Sequence, residues 1–129
     1  MLDTTIISDL IRNPKGKAAK RIADVGTDNI CTSIVVAAEL RYGSTKNGSK
    51  RLLQLVENIL GEVKVLSFEV PADVEYGAIR SELESAGKPI RANDLLIAAH
   101  ARAAAATIVT ANVGEFKRVR GLKVENWLA

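Results

Sequence analysis

Short aliphatic and β-branched runs alternate with longer segments of helical period along this chain. That alternation predicts an α/β fold with three layers, a mostly parallel central sheet flanked by helices. Met1–Thr4 reads as the first strand and Thr5–Arg12 as a short helix stopped by Asn13-Pro14. Lys17–Val25 predicts a second helix ending at Gly26, and Asn29–Thr32 a second strand. Ser33 suits the N-cap of a helix expected to end at Gly43, which leaves Ser44–Ser49 as a polar loop. Leu52, Leu53, Leu55, Val56, Ile59 and Leu60 give a broad apolar stripe to a helix over Arg51–Leu60, closed by Gly61. Val63–Ser67 is the third strand, and Pro71 opens a helix through Glu84 that stops at Ala86-Gly87. After the turn Lys88-Pro89-Ile90, Asn93 or Asp94 is placed to cap an alanine-rich helix. Its run Ala103–Ala106 allows close approach to a sheet. Thr107–Thr110 is the fourth strand, Val113–Phe116 a turn of helix, and Leu122–Glu125 the last strand.

At 129 residues the chain is expected to form one domain, spanning 1–129, with a core large enough to stand without staples. A hydrophobic fraction of 47% and a charged fraction of 26% are those of an ordinary globular protein. The single cysteine, Cys31, excludes an intramolecular disulfide and suits a reducing compartment. No apolar run approaches the roughly 18 residues of a membrane span, so a cytoplasmic protein with no membrane partner is expected. Aromatic residues make up only 4%, which argues against the base-stacking platforms of many RNA-binding modules. The net charge of +3 is compatible with a polyanionic substrate.

Three acids stand inside apolar segments: Asp3 after the first strand, Glu39 in Ala37-Ala38-Glu39-Leu40, and Asp94 at the head of the alanine-rich helix. Carboxylates in such settings are unfavourable unless something pairs with them, and a hard divalent cation such as Mg²⁺ or Mn²⁺ is one partner. In open α/β sheets ligands bind beyond the carboxyl ends of the strands. Asp3 ends strand one, and Thr110 and Asn112 end or follow strand four. The helix opened by Asp94 must begin at that same edge to feed strand four. Glu39 lies six residues past Ser33, roughly 9 Å along its helix, and joins the others only if that helix crosses the crevice. Spacing alone leaves both a shared acidic site and three unrelated acids open.

Four segments taken together carry a resemblance. Met1-Leu2-Asp3-Thr4, Ala38-Glu39-Leu40-Arg41-Tyr42-Gly43, Asp94-Leu95-Leu96-Ile97-Ala98-Ala99-His100-Ala101 and Val109-Thr110-Ala111-Asn112-Val113-Gly114-Glu115-Phe116 occur in this order. They resemble a PIN domain, and more narrowly the VapC toxins of VapBC toxin–antitoxin pairs. The tail Gly121–Trp127 is similar to that family's ending as well. The resemblance implies a metal-dependent ribonuclease in which Asp3, Glu39 and Asp94 hold Mg²⁺ or Mn²⁺. Asn112 falls at the fourth acidic position, and Thr5 stands where the family often has asparagine. It also implies an RNA substrate (tRNA or structured rRNA), a VapB-like antitoxin as partner, and a homodimer.

The chemistry agrees with that implication. One histidine excludes a two-histidine ribonuclease mechanism, whereas a bound metal can activate water and neutralise charge on phosphate. Lys88 and Arg91 shortly precede Asp94, and Arg118 follows Asn112. These three, with the Thr110 hydroxyl, are the candidate substrate contacts. Glu115 reads as a solvated or structural acid, His100 and Trp127 as structural, and Cys31 as a small buried hydrophobe. A receiver-like phosphoacceptor domain would need an aspartate after Val63-Lys64-Val65-Leu66, where the chain has Ser67. A catalytically silent PIN-like binding module is the remaining alternative.

Overall fold

Leu2 joins the two halves of the sheet. In the computed structural model, which describes residues 1–129, it pairs in parallel with Thr32 on one side and Val109 on the other. Thr32 lies in β1 (Cys31–Ser33), which pairs with β2 (Lys64–Leu66) in the register Thr32–Val65. Val109 lies in β3 (Ile108–Val109), which pairs with β4 (Val124–Glu125) in the register Ile108–Val124. The spatial order is β2-β1-Leu2-β3-β4, with every pairing parallel. At the junction the Leu2 amide donates to the Cys31 carbonyl at 2.7 Å, and the Asp3 amide to the Val109 carbonyl at 2.9 Å. From Leu2 the chain visits β1 and β2 on one side, then β3 and β4 on the other. The order therefore reverses at Leu2, which is where such sheets bind ligands.

Parallel neighbours require crossovers. These are α1 (Thr4–Arg12) and α2 (Lys17–Val25) before β1, α3 (Ile34–Asn47) and α4 (Lys50–Glu62) before β2, α5 (Ala72–Ser85) and α6 (Ala92–Ala103) before β3, and α7 (Val113–Phe116) before β4. A single hydrophobic cluster joins the sheet to the helices. Leu2, Ile6, Ile7, Ile79, Ile97 and Phe116 are among its fully buried members, each worth about 1.5–3 kcal/mol of burial. Trp127 closes this core at the chain's end, its indole N–H donating to Glu125 at 3.0 Å. Cys31 is half-buried against the same cluster.

The predicted order of elements holds, and several boundaries move for local reasons. Strand one contracts to Leu2 because Asp3 turns at once to cap α1. Strand two starts at Cys31, since Thr27–Asn29 forms a 3₁₀ turn in which the Asn29 amide side chain donates to the Val25 carbonyl at 2.8 Å. The helix expected to end at Gly43 runs on to Asn47. The Ser44 hydroxyl bonds back to the Leu40 carbonyl at 2.8 Å, and the left-handed residue that ends the helix is Gly48 (φ 72°). The run Ala103–Ala106 ends α6 instead of packing it: Ala105 is left-handed (φ 52°), and the Ala106 amide returns to the Ala101 carbonyl. Close packing falls instead to the buried Ala98, Ala99 and Ala101.

Gly43 thus sits in the interior of α3, with nothing within 4 Å of the position a Cβ would take. Gly43→Ala is expected to stabilise the protein by about 0.5–1 kcal/mol, since it restricts the unfolded chain and improves helix propensity. Urea unfolding would show this as a higher midpoint; a lower midpoint would mean that the helix does not continue through Gly43.

Candidate active site

Asp3 has two structural tasks at once. Its backbone is extended, and one carboxylate oxygen caps α1 by accepting from the Thr4 amide at 2.7 Å. The other oxygen accepts from the Thr110 hydroxyl at 2.7 Å and from the Thr5 hydroxyl at 3.3 Å. Thr110 is wholly buried just beyond β3, and its hydroxyl accepts from the Asn112 amide at 2.9 Å. Thr5 also accepts from the Ala111 amide at 3.0 Å, so its hydroxyl ties the start of α1 to the turn after β3. Asp3 itself is only 3% exposed.

Asp94 is 4% exposed and lies in the first turn of α6. Neither it nor Asn93 is the N-cap, as the helix begins one or two residues earlier and Arg91 takes that position. Asp94 therefore turns its carboxylate away from its own helix end and into the crevice. Oδ2 accepts from Arg91 Nε and Nη2 at 3.2 and 3.1 Å and from the Asn112 side chain at 3.2 Å. The Asn112 amide nitrogen also reaches Glu115 at 3.1 Å, and Arg91 lies 3.6 Å from the same carboxylate. Burial pushes the Asp94 carboxyl up to about 7, helped by its hydrogen bond to Glu115 and the like charge of Asp3, and opposed by Arg91. The same bond from Asp94, with Asn112 and Arg91, holds Glu115 below the usual carboxylate range against the effect of burial.

Glu39 reaches the crevice. Ser33 caps α3 by accepting from the Val35 amide at 3.0 Å, and the Ser33 hydroxyl meets His100 Nδ1 on α6 at 2.7 Å. Farther along α3, Glu39 accepts from the Thr4 hydroxyl at 2.9 Å and from the Asn93 side chain at 3.3 Å. Thr4 and Asn93 are the chain neighbours of Asp3 and Asp94. The three acids are thereby tied into one hydrogen-bonded region at the carboxyl edge of the sheet, which the spacing had left open.

No three of the chain's Asp, Glu, His and Cys side chains form a ready-made ligand cage. Hydroxyls and amides bridge the acids instead: Asp3 through Thr110 and Asn112 to Asp94, and Glu39 through Thr4 to Asp3, while Asn93, next to Asp94 in the chain, also donates to Glu39. The donors are all hard oxygens and amides, suited to Mg²⁺ or Mn²⁺ and unsuited to a soft metal. Four carboxylates, those of Asp3, Glu39, Asp94 and Glu115, share the crevice with one guanidinium, that of Arg91, and a small dication would offset the negative charge that remains.

Of the basic candidates, Arg91 is in the site. Lys88 is exposed on the loop before α6, and Arg118 donates to the Pro89 carbonyl of that loop at 3.0 Å. Arg12, Lys15 and Lys17 line a separate groove of about 550 Å³ at the α1–α2 corner. Glu115, expected to be solvated or structural, is half-buried and held by Asn112 and Arg91 beside the three acids. Thr4 and Asn93 were not among the candidates. Adjacency to Asp3 and Asp94 was their only mark.

Residues 1–122 match the PIN domain family, the class that the reversal-point acidic site and the parallel sheet define. The chain is 37% identical to the tRNA(fMet)-specific endonuclease VapC of Shigella flexneri over 128 residues, covering 98% of this chain and 96% of that protein. It is 40% identical to ribonuclease VapC2 of Rickettsia felis, covering 98% and 96%. The crystal structure of VapBC2 from Rickettsia felis, bound to a DNA fragment from their promoter, superposes with a TM-score of 0.91 at 37% identity, over 98% of this chain and 97% of that one. The chain belongs to the PIN-domain VapC ribonucleases. No helix is long and apolar enough to cross a membrane.

Proposed function

We propose that this chain is a Mg²⁺- or Mn²⁺-dependent endoribonuclease that cuts tRNA or structured rRNA loops in the cytoplasm, as the toxin of a type II toxin–antitoxin pair. The observation that carries the proposal is the pair of polar bridges that gathers Asp3, Glu39 and Asp94, with Asn112, at the sheet's reversal point. Asp3, Glu39 and Asp94 would hold the cation. When bound, it supplies a more acidic water and neutralises charge developing on the phosphate. Asn112 and Thr110 keep the Asp94 and Asp3 carboxylates in place, and Glu39 lies where it can orient the attacking water. Arg91, Lys88 and Arg118 lie on or near one loop and would contact backbone phosphates without reading bases. In-line attack leaves a 5′-phosphate and a 3′-hydroxyl. The tRNA(fMet)-specific relative supports tRNA as the first substrate to try.

The partner proposed is a VapB-like antitoxin, supported by the VapBC complexes among the similar structures. A groove of about 400 Å³ between α1, α3 and α4 has Ile11, Leu40, Leu52 and Val56 along it, with Thr4 and Glu39 among its lining. An antitoxin tail with apolar side chains laid along that groove would reach the acids and block them. The toxin is proposed to act as a homodimer, for which the exposed Val70 and Val74 offer apolar surface.

Antitoxin-free protein incubated with total tRNA and rRNA should give discrete cuts with Mg²⁺ or Mn²⁺ and none with EDTA. Cuts that persist in EDTA would remove the metal from the mechanism. A folded, metal-binding protein that cuts neither RNA class would instead favour the silent PIN-like module.

A further inference from the structure

We infer that the Arg91 guanidinium is the internal counter-ion of the acidic site: it holds Asp94 until a divalent cation enters, then leaves to bind an RNA phosphate. The inference rests on the proposed acidic site and adds an exchange step to it. Asp94 Oδ2 already receives three donors, from Arg91 Nε and Nη2 and from the Asn112 side chain, at 3.1–3.2 Å. A carboxylate has about four lone-pair sites shared between its two oxygens, so this oxygen has no room for a cation until a donor departs.

Asn112 is poorly placed to go. It is half-buried, its side chain also holds Glu115, and its backbone amide is bound to Thr110. The Arg91 side chain is 71% exposed at the very start of α6, free to swing into solvent, whereas Asp94 is buried and needs another positive charge in its place when Arg91 leaves. The guanidinium also lies in the combined field of Asp94, Glu115 and Glu39, the field that would draw a dication. One positive charge keeps the place of another. Once displaced, the arm remains anchored at the rim of the crevice, and its planar fork suits a phosphate. A phosphate that draws Arg91 away in turn opens Asp94 Oδ2 to the cation, so RNA and metal favour one another's binding.

Removing any nearby positive charge could tighten a cation site, and Arg118→Gln controls for that. Arg118 carries the same charge, is exposed, and bonds to the Pro89 carbonyl and not to Asp94. Mn²⁺ binding would be measured by calorimetry on the full chain at fixed ionic strength, for wild type, Arg91→Gln, Arg91→Lys, Arg118→Gln and Asp94→Asn. Arg91→Gln should tighten Kd by about fivefold or more, Arg118→Gln by less than about twofold. Arg91→Lys should fall between, as it keeps the charge but loses the two-point hold. In cleavage assays Arg91→Gln should also raise KM for tRNA.

An unchanged or weaker Kd in Arg91→Gln overturns the exchange, as does equal tightening in Arg118→Gln. With Asp94→Asn binding Mn²⁺ more weakly in either case, the acidic site itself would still stand. Undiminished Mn²⁺ binding by Asp94→Asn would remove the site, and the exchange with it.

Discussion

Asp94→Asn is expected to lower RNA cleavage at least about 100-fold, or about 2.7 kcal/mol of transition-state stabilisation, while making the metal-free protein more stable. Both effects come from one carboxylate. The substitution keeps the shape and the bonds that an amide oxygen can accept from Arg91 and Asn112, but removes the charge that draws the cation. The stability effect has a definite sign. In the folded protein the Asp94 carboxyl is raised from 3.8 to about 7. Below about pH 4 both states carry the proton; between about 4 and 7 the folded state keeps it while the unfolded state releases it. The stability that protonated Asp94 contributes is therefore full at low pH and lost as pH rises through that window. In EDTA, wild type should lose roughly 3 kcal/mol relative to Asp94→Asn between pH 4.5 and pH 8. Urea unfolding of both proteins at the two pH values checks this. Parallel pH dependences would mean that Asp94 is not the strained acid, and full activity in a folded mutant would remove it from catalysis.

Asp3→Ala should do the opposite to stability. It removes the α1 cap, worth about 1 kcal/mol, and leaves the buried Thr110 hydroxyl without its acceptor, at about 1–3 kcal/mol more. The sum is a loss of about 2–4 kcal/mol, read as a lower urea midpoint with unchanged slope. Asp3→Asn has one acceptor oxygen and can keep the bond from Thr4 or that from Thr110 but not both; it should lose less stability than Asp3→Ala and yet be as inactive as Asp94→Asn. A loss under about 0.5 kcal/mol for Asp3→Ala would mean that the network around Thr110 does not depend on Asp3. Taken together, the two aspartates divide the labour: Asp3 helps to build the fold it serves, and Asp94 weakens it.

The period of apolar positions was enough to show the order of helices and strands, because each helix presents a stripe to the common core. What it could not show were features decided across the chain. Strand one shrank to Leu2 because the cap on α1 took Asp3, a competition that a pattern of Met-Leu-Asp-Thr does not display. Gly43 looked like a helix end because glycine often is one; Gly48, five residues on, had the left-handed turn. The acids themselves were legible as charges in apolar segments. Their polar partners Thr4 and Asn93 were not, as each is an ordinary polar residue until the sheet places it. The same holds for Arg91, whose charge was visible but whose attachment to Asp94 required α6 to start where it does.

His100 is the chain's only histidine, and its ring links the Ser33 cap of α3 to α6, the two helices that carry Glu39 and Asp94. Burial holds its pKa below the ordinary histidine value. With no other imidazole to overlap it, a single pair of ring resonances in a nitrogen-edited NMR spectrum would report the alignment of these helices. Metal, RNA or antitoxin could each be added in turn, and the movement of one peak would show whether the two halves of the acidic cluster shift together.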